Sequence, residues 1–171
     1  MNIRDLQKTD VERVRAIARA AWRDTYSDFI PMDIQDKVLK EAYSDAKMEN
    51  RFLDSLNLVA EVEGKIVGYA FFSGELASED IYLESLYIHP IEQRKGIGRQ
   101  LIEYGLCKYR ELNSLTLTVY KHNSSISFYE KEGFVVISET EGDFFGHPVG
   151  FIKMRKEMVK KKDKGMEEFN Q

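Results

Sequence analysis

The hydrophobic and polar positions of this chain change period along its length, and each change predicts a switch between helix and strand. Apolar residues recur at helical spacing over residues 11–22, with arginines elsewhere on the same helix. Thr9 and Glu12 have the spacing of a capping box, which predicts that this helix begins beside them. Residues 32–54 are polar and predict two short helices that are parted near Ser44.

The middle of the chain has the alternation that is typical of β-strands. Residues 58–62 and 66–72 flank Glu63-Gly64, and this pattern predicts an antiparallel hairpin. Residues 81–88 predict a further central strand. Pro90 ends that strand because proline has no N–H to donate to a sheet.

The rest of the chain combines one crossover with a last hairpin. A helix after residue 98 has Gly105 on its apolar face, which predicts a close approach of helix and sheet. The other predicted elements are a strand near Ile3, a strand at 115–119, a short helix from Asn123 to Gly133, and a hairpin of 134–137 with 149–154. Hairpins with one strand–helix–strand crossover predict the α/β class, with a mixed, mostly antiparallel central sheet and helices on both faces. Residues 1–157 are expected to form one domain and residues 158–171 a charged C-terminal tail.

The composition fits one domain of ordinary size and argues against several classes of protein. The chain has 171 residues, of which 43% are hydrophobic, enough for a real core. Its net charge of -4 argues against a nucleic-acid-binding protein, which is normally basic. No apolar run is long enough to span a membrane, and the single Cys107 can form no internal disulfide. We therefore expect a cytoplasmic protein without nucleic-acid or membrane partners. His89, His122 and His147 lack metal-ligand spacing, so no metal is expected.

The loop between the strand that ends at Pro90 and the next helix has the features of an anion site. Gly96 and Gly98 let backbone N–H groups approach a ligand, and the helix N-terminus adds positive potential. The nearby cations are Arg94, Lys95 and Arg99. A diphosphate is the natural ligand for such a loop. The loop residues alone fit a tight turn with solvated basic side chains about equally well.

Three segments, in order and spacing, resemble the GNAT superfamily of acyl-CoA N-acyltransferases. They are Leu83–Pro90, similar to the family's fourth strand, Gln93–Gly98, similar to its Q/R-x-x-G-x-G/A loop, and Asn123–Phe134, similar to its N-x-x-A-x-x-F-Y-x-x-x-G-F helix with Ile126 where alanine is commoner. The opening helix and Ala21–Tyr26 are more loosely similar to the PaiA-like branch, which acetylates polyamines. The resemblance implies that acetyl-CoA is the donor. It also implies that the fourth and fifth strands splay apart at a bulge.

The resemblance further implies a set of residues that bind coenzyme A. The pantetheine chain would lie in the gap between the splayed strands, on the backbone of Leu86, Tyr87 and Ile88, and one of those amides could polarise the thioester carbonyl. The other implied contacts are Gln93, Arg94, Lys95, Gly96, Ile97, Gly98, Arg99, Asn123 and Lys131. Asn123 could bind coenzyme A through its amide, cap its helix, or do both, and Lys131 could instead be a solvated lysine.

Two side chains are candidates for the proton transfers of acetylation. An alkylammonium has a pKa of about 10.4, so the attacking amine needs a base. Glu84 is the candidate, because it is a charged residue in a central strand, on the same face as Ile88 by strand parity. Burial among neighbours such as Tyr82 and Tyr87 would favour this role, and the alternative is an exposed or ammonium-binding carboxylate. Tyr129 matches the family's tyrosine acid for the leaving thiolate, and the alternative is a core aromatic residue.

Acidic residues in the loops suggest a cationic acceptor. The residues expected to flank the acceptor side are Asp24, Asp28, Asp33, Glu75, Glu79, Asp80, Glu139, Glu141 and Asp143. Such a ring would attract a polycation, so a polyamine such as spermidine or spermine is the expected acceptor, with direct transfer from acetyl-CoA. The alternatives are a protein or another small amine as acceptor, or a non-catalytic module that senses coenzyme A. The oligomeric state stays open, a homodimer included.

Overall fold

The computed structural model describes residues 1–159 and contains a seven-stranded sheet. The strands are β1 (Asn2–Asp5), β2 (Ser55–Val62), β3 (Lys65–Ser73), β4 (Asp80–Ile88), β5 (Ser114–Tyr120), β6 (Val135–Phe144) and β7 (His147–Glu157). Their order across the sheet is β1-β2-β3-β4-β5-β7-β6. Every neighbouring pair is antiparallel except β4 and β5, which the crossover makes parallel. The predicted mixed, mostly antiparallel sheet is confirmed.

Helices cover both faces of this sheet, as the sequence predicts. They are α1 (Val11–Tyr26), α2 (Met32–Ala42), α3 (Asp45–Asp54), α4 (Ile97–Leu106) and α5 (Ile126–Lys131). On one face α4 packs its apolar stripe, with Leu101 and Ile102, on the sheet. On the other face α1 buries Val14 and Ile17 against Tyr69 and Phe71 of β3. Ser44 separates α2 from α3 and caps α3 by accepting a hydrogen bond from Lys47 N.

The helix α4 lies unusually close to the sheet at Gly105. A Cβ atom at this position would overlap the ring of Phe72 on β3. The predicted close approach is therefore confirmed, and the absence of a side chain is what permits it.

The central strand β4 is divided between two neighbours. It pairs with β5 only from Asp80 to Leu83, and beyond Leu83 the two parallel strands are no longer paired. On its other side β4 stays paired with β3, but the register slips so that Phe71 faces Ser85 and Phe72 faces Leu83. Glu84 is the extra residue of this β-bulge. The predicted splay between the fourth and fifth strands is confirmed, and the bulge lies where it begins.

The capping box that the sequence predicts at Thr9 and Glu12 is wrong. A short 3₁₀ turn over residues 8–10 precedes α1, so Thr9 lies inside that turn and cannot cap the helix. Asp10 takes the structural role instead, because its carboxylate accepts the Gln7 N–H at 2.8 Å and pairs with Arg4 at 2.7 Å. The guanidinium of Arg4 lowers the pKa of Asp10.

Two further predictions concern a membrane span and the C-terminal tail. No helix among residues 1–159 combines the length and the apolar character that a membrane crossing requires. The predicted C-terminal tail lies outside the described residues from position 160 onward. The predicted division at residue 157 stays a prediction.

Candidate active site

The gap between β4 and β5 opens a cleft of about 710 Å³. Its walls are the second half of β4, the loop and first turn of α4, the end of β5, α5, and the last turns of α1. The sequence-predicted residues that line it are Glu84, Leu86, Tyr87, Ile88, Gln93, Arg94, Gly96, Ile97, Gly98, Arg99, Asn123, Tyr129 and Lys131. Lys95 is the predicted residue outside this lining. Residues that are far apart in the chain therefore meet at one site.

The backbone of β4 offers the cleft two residues rather than three. His89 N–H donates to Val67 O on β3 at 2.8 Å. Hydrogen bonds alternate in direction along an antiparallel pair, so Tyr87, which faces Tyr69, also turns its backbone toward β3. Leu86 and Ile88 turn theirs toward the gap. The expectation that the Tyr87 backbone faces the gap is therefore corrected by the register. Tyr87 can line the cleft only with its side chain.

The loop before α4 forms a nest of unpaired amides. Arg94 and Gly96 both have left-handed backbone conformations, with φ values of 64° and 80°. Gln100 N donates to Gly96 O at 3.1 Å and is the first amide of this helix with a backbone acceptor. Among the described residues, the amides of 94–99 have no acceptor. Such a run of N–H groups at a helix N-terminus is suited to bind a phosphate group.

Two of the predicted basic residues of this loop are already paired. Lys95 Nζ lies 2.8 Å from Glu92, and Arg99 lies 3.0 Å from Glu103 and 3.8 Å from Glu132. Arg94 and Lys131 line the cleft and form no ion pair with the described residues. Their charges are therefore the ones most available to an anionic ligand.

Tyr129 lies in the cleft wall at the end of α5. Its ring packs edge-on against Phe128 and Phe134, with centroids 5.2 and 5.6 Å away. Tyr129 is therefore part of the aromatic core and also lines the cleft. Burial raises the pKa of Tyr129 well above its ordinary value. Within residues 1–159 its hydroxyl has no side-chain hydrogen-bond partner. A protonated phenol with a free O–H can donate a proton into the cleft.

Glu84 differs from expectation in both face and burial. Because the bulge adds one residue, Glu84 does not share a face with Ile88, which packs with the α4 side of the sheet. Its side chain is 35% exposed, and it is held by Arg51 of α3, whose Nη2 and Nε lie 2.7 and 3.1 Å from Oε1. No local sequence pattern points to this partner, which lies 33 residues earlier in the chain.

Asn123 is engaged within the protein. Its Oδ1 accepts the Ser125 N–H at 2.8 Å, and its Nδ2 donates to Tyr26 Oη at 2.9 Å. The first bond closes a turn just before α5, whose N-cap residue is Ser125. The contact of Asn123 with coenzyme A stays a prediction. Tyr26 lines the cleft together with Tyr120.

The residues of the predicted acidic ring do not line the cleft. Asp80 and Glu79 accept hydrogen bonds from Ser114 and Asn113, at the end of β4 that is remote from the splay. The other seven members of the predicted ring are also absent from the cleft lining, whose acidic residues are Glu84, Glu92 and Glu132. In the described part of the chain, no cluster of three histidine, cysteine or acidic side chains could hold a metal ion.

The part of the cleft that α1, β4 and the end of β5 line is instead mostly aromatic. Tyr26 and Tyr120 lie 5.2 Å apart in edge contact, and Tyr87 lines the same wall. Burial raises the pKa of each of these three phenols, so they stay neutral. The aromatic faces and the Glu84 carboxylate together suit an alkylammonium group.

The proteins that this chain is most clearly similar to are named as acetyltransferases. The family model described as an acetyltransferase (GNAT) domain matches residues 17–158. A spermidine N(1)-acetyltransferase of Thermoplasma acidophilum is 29% identical over 154 residues, which are 85% of this chain and 94% of that protein. The peptidyl-lysine N-acetyltransferase YjaB of Salmonella typhimurium is 29% identical over 157 residues, 90% of this chain and 97% of that protein.

A solved structure agrees with the fold over almost the whole chain. The PaiA N-acetyltransferase from Thermoplasma acidophilum, in complex with coenzyme A, superposes with a TM-score of 0.77 at 26% identity and covers 92% of this chain and 98% of that one. The unpaired amides before α4 and the gap in the sheet fit such a ligand. This chain therefore belongs to the GNAT family of acetyltransferases and is an enzyme that uses acetyl-CoA as its cosubstrate.

Proposed function

We propose that the enzyme acetylates the primary amino group of an aliphatic polyamine by direct transfer within a ternary complex. The observation that carries this proposal is the divided strand β4. Its bulge presents Glu84 to the same cleft that Tyr129 lines, and that cleft begins at the unpaired amides of residues 94–99. A base, an acid and an anion site in one cleft are what amine acetylation needs.

The binding roles follow from the groups that the cleft offers. The amides of 94–99, with Arg94 and Lys131 nearby, would hold the diphosphate. The backbone of Leu86 and Ile88 would pair with the amides of the pantetheine arm, as a neighbouring strand does. One of their N–H groups would also polarise the thioester carbonyl. Acetyl-CoA supplies the activated acetyl group.

The proton transfers need two side chains. Glu84 takes one proton from the alkylammonium, directly or through a water, so that the nitrogen lone pair can attack the thioester carbon. As the C–S bond breaks, the sulfur takes the proton of Tyr129. The nitrogen's second proton then restores the phenol through solvent. An ammonium substrate thus becomes an amide, a thiol and one proton released to solvent.

The acceptor class is the finer part of the proposal. The Thermoplasma relative is named for spermidine, and the solved structure is a PaiA protein. The aromatic wall of Tyr26, Tyr87 and Tyr120 with the Glu84 carboxylate favours an alkylammonium over an acidic or neutral acceptor. The rival is a peptidyl-lysine, because YjaB is equally identical and a lysine side chain ends in the same group.

An amine panel distinguishes these acceptors. Release of free thiol from acetyl-CoA is followed with spermidine, spermine, mono-alkylamines and lysine-containing peptides at matched concentrations. The proposal expects the highest kcat/KM with spermidine or spermine. If a lysine peptide exceeds both polyamines, the acceptor is a protein. Turnover that is equal with mono-alkylamines would mean that the second amino group is not recognised.

A further inference from the structure

Arg51 is a buried cation whose side chain is held in place by aromatic rings and hydrogen bonds. Its side chain is 8% exposed, and it lies over the rings of Tyr43 and Phe71, with its Cζ 5.2 Å from each centroid. Its Nη1 donates to Ala42 O at 2.7 Å and contacts Met48 Sδ at 3.3 Å. A guanidinium that is stacked and hydrogen-bonded in this way has little freedom to move.

The two remaining guanidinium nitrogens of Arg51 bind one oxygen of Glu84. Both Nε and Nη2 donate to Oε1, and no donor among the described residues reaches Oε2. The carboxylate is therefore oriented with one oxygen occupied and the other open. Glu84 is also the extra residue of the β4 bulge, so backbone and side chain are both fixed at the edge of the cleft.

A buried hydroxyl chain supports the bulge from beneath. Tyr43 Oη lies 2.7 Å from Tyr69 Oη and 3.2 Å from Ser85 Oγ, next to Glu84. The ring of Tyr43 is also one of the two on which Arg51 stacks. The α2–α3 corner and β3 thus meet at the residue that the chemistry uses. A purely structural ion pair would not need to end at a cleft-lining carboxylate.

We propose that Arg51 is a positioning residue, which holds the Glu84 carboxylate so that Oε2 is presented to the acceptor amine. The proposal rests on the proposed role of Glu84 as base. A glutamate side chain that is 35% exposed and has no ion-pair partner would sample several rotamers, most of them turned toward solvent. Fixing one of them raises the fraction of complexes in which the proton can be transferred.

A double-mutant cycle tests whether Arg51 acts through Glu84. The variants are Arg51→Met, Glu84→Gln and the double variant, with kcat and both KM values measured by thiol release at saturating acetyl-CoA. Arg51→Met is expected to lower kcat about 10–100-fold, as a misplaced catalytic group does, with the KM for acetyl-CoA unchanged. In the Glu84→Gln background the same substitution is expected to cost less than about threefold, because coupled residues are not additive.

The matched control is Arg23→Met. Arg23 also forms an ion pair between two elements, from α1 to Asp36 of α2, but it lies outside the cleft. It is expected to leave kcat unchanged. Thermal melting of every variant separates loss of fold from loss of activity. If Arg51→Met does not fold, Arg51→Lys carries the test in the same cycle, because lysine keeps the charge and loses the two-pronged grip.

The outcomes separate two failures. If Arg51→Met keeps full kcat while Glu84→Gln loses it, Arg51 is only structural and this inference is overturned. If the losses of the two single variants multiply in the double variant, Arg51 does not act through Glu84, which also overturns it. If Glu84→Gln itself keeps full activity, the proposed base is wrong, which is a failure of the proposed function instead.

Discussion

At the scale of single residues, Tyr129 is the side chain on which the chemistry can be tested most cleanly. Its hydroxyl is the only part of it that differs from a core aromatic residue such as Phe134. Because burial raises its pKa, the phenol stays protonated throughout the neutral range and is ready to act as an acid. A thiolate leaving group with a pKa of about 8.5 gains from such a donor but does not strictly require it.

Tyr129→Phe is therefore expected to lower kcat by about 10–1000-fold, which is less than the roughly 100–10,000-fold typical of a general acid because a thiolate can also leave unaided. The KM for acetyl-CoA should change little, because the ring and its packing remain. Steady-state thiol release measures both constants. The control is Tyr109→Phe, since Tyr109 also has a buried hydroxyl, unpaired in the described chain and outside the cleft. Full activity in Tyr129→Phe would make Tyr129 a packing residue.

Gly96 tests the anion site. Its φ of 80° is a left-handed conformation that costs a side-chain-bearing residue about 1–2 kcal/mol. Gly96→Val is expected to shift the loop and weaken coenzyme A binding by about tenfold, which is the affinity equivalent of that strain. Titration calorimetry with coenzyme A measures this change.

The β6–β7 turn offers the control for backbone strain. Gly146 has a φ of 85°, and a Cβ added there would have no atom within 4 Å. A Cβ at Gly96 would meet only Gln100 Nε2, at 3.8 Å, so the two sites are similar in space. Gly146, however, lies in a hairpin turn and not in the loop before α4. Gly146→Val should lose similar stability and keep its affinity for coenzyme A. Equal loss of affinity in both variants would mean that strain alone, and not the nest of amides, explains the result.

Most of the residues that the sequence proposes for the site line one cleft, but the sequence did not predict which face of the sheet each one occupies. Motif spacing placed Tyr129 and the loop around Gly96 correctly at one cleft. Strand parity failed for Glu84, because a bulge adds one residue and reverses the faces on one side of it. Arg51 could not be found from the sequence, since nothing local links a residue of α3 to one of β4.

At the scale of secondary-structure elements, periodicity was the reliable guide. The hairpin of β2 and β3 and the crossover through α4 follow directly from period-2 and period-3.6 patterns. The N-cap of α1 was misplaced because a 3₁₀ turn precedes the helix: Asp10 N donates to Gln7 O and Val11 N to Lys8 O, so Thr9 lies inside that turn. Element ends depend on such local competition between hydrogen bonds, which a pattern of apolar residues does not contain.

Helix α4 gives a prediction that belongs to this scale. Gly105→Ala places a methyl group into the Phe72 ring, so we expect a loss of about 1–3 kcal/mol in the free energy of unfolding from overpacking. The better helix propensity of alanine, about 1 kcal/mol, offsets only part of this loss. Urea denaturation measures the difference.

Gly98→Ala in the same helix is the matched comparison. A Cβ there would lie 3.5 Å from Phe128 Cζ, an ordinary contact distance. Its stability should be unchanged or higher, since the propensity gain is not opposed by a clash. A stabilised Gly105→Ala would show that α4 can move off the sheet without cost.

At the scale of the whole molecule, the site lies where two halves of the sheet meet. Strands β1 to β4 form one antiparallel set, and β5, β7 and β6 form the other, joined by four residue pairs of β4 and β5. The family resemblance could predict that joint, because it implies the splay of the fourth and fifth strands. Local hairpins could not, since β1 pairs with β2 and β5 with β7 across distant parts of the chain. The distribution of charge could not be predicted, since loops such as that of Glu79 and Asp80 turn out to lie at the opposite end of β4 from the cleft.

The same architecture buries most of the protein's tyrosines and makes its stability sensitive to alkaline pH. Burial raises the pKa of the following residues: Tyr26, Tyr43, Tyr69, Tyr87, Tyr120 and Tyr129, and Tyr109 to about 12. In the unfolded chain a tyrosine ionises at about pH 10. Above that pH the unfolded state loses protons that the folded state keeps, so the free energy of unfolding must fall as pH rises.

We therefore expect that these tyrosines do not change the free energy of unfolding below about pH 10. Above that pH the free energy of unfolding is expected to decline steeply. Urea midpoints measured in steps from pH 8 to pH 11.5 test the decline. Phenolate absorbance, recorded on the same samples, should rise for the buried set only together with unfolding, because each of these phenols must leave its apolar site to ionise. A midpoint that stays constant to pH 11.5, or phenolate absorbance from these tyrosines in the folded protein, would contradict the burial of these hydroxyls on which the neutral aromatic wall of the cleft depends.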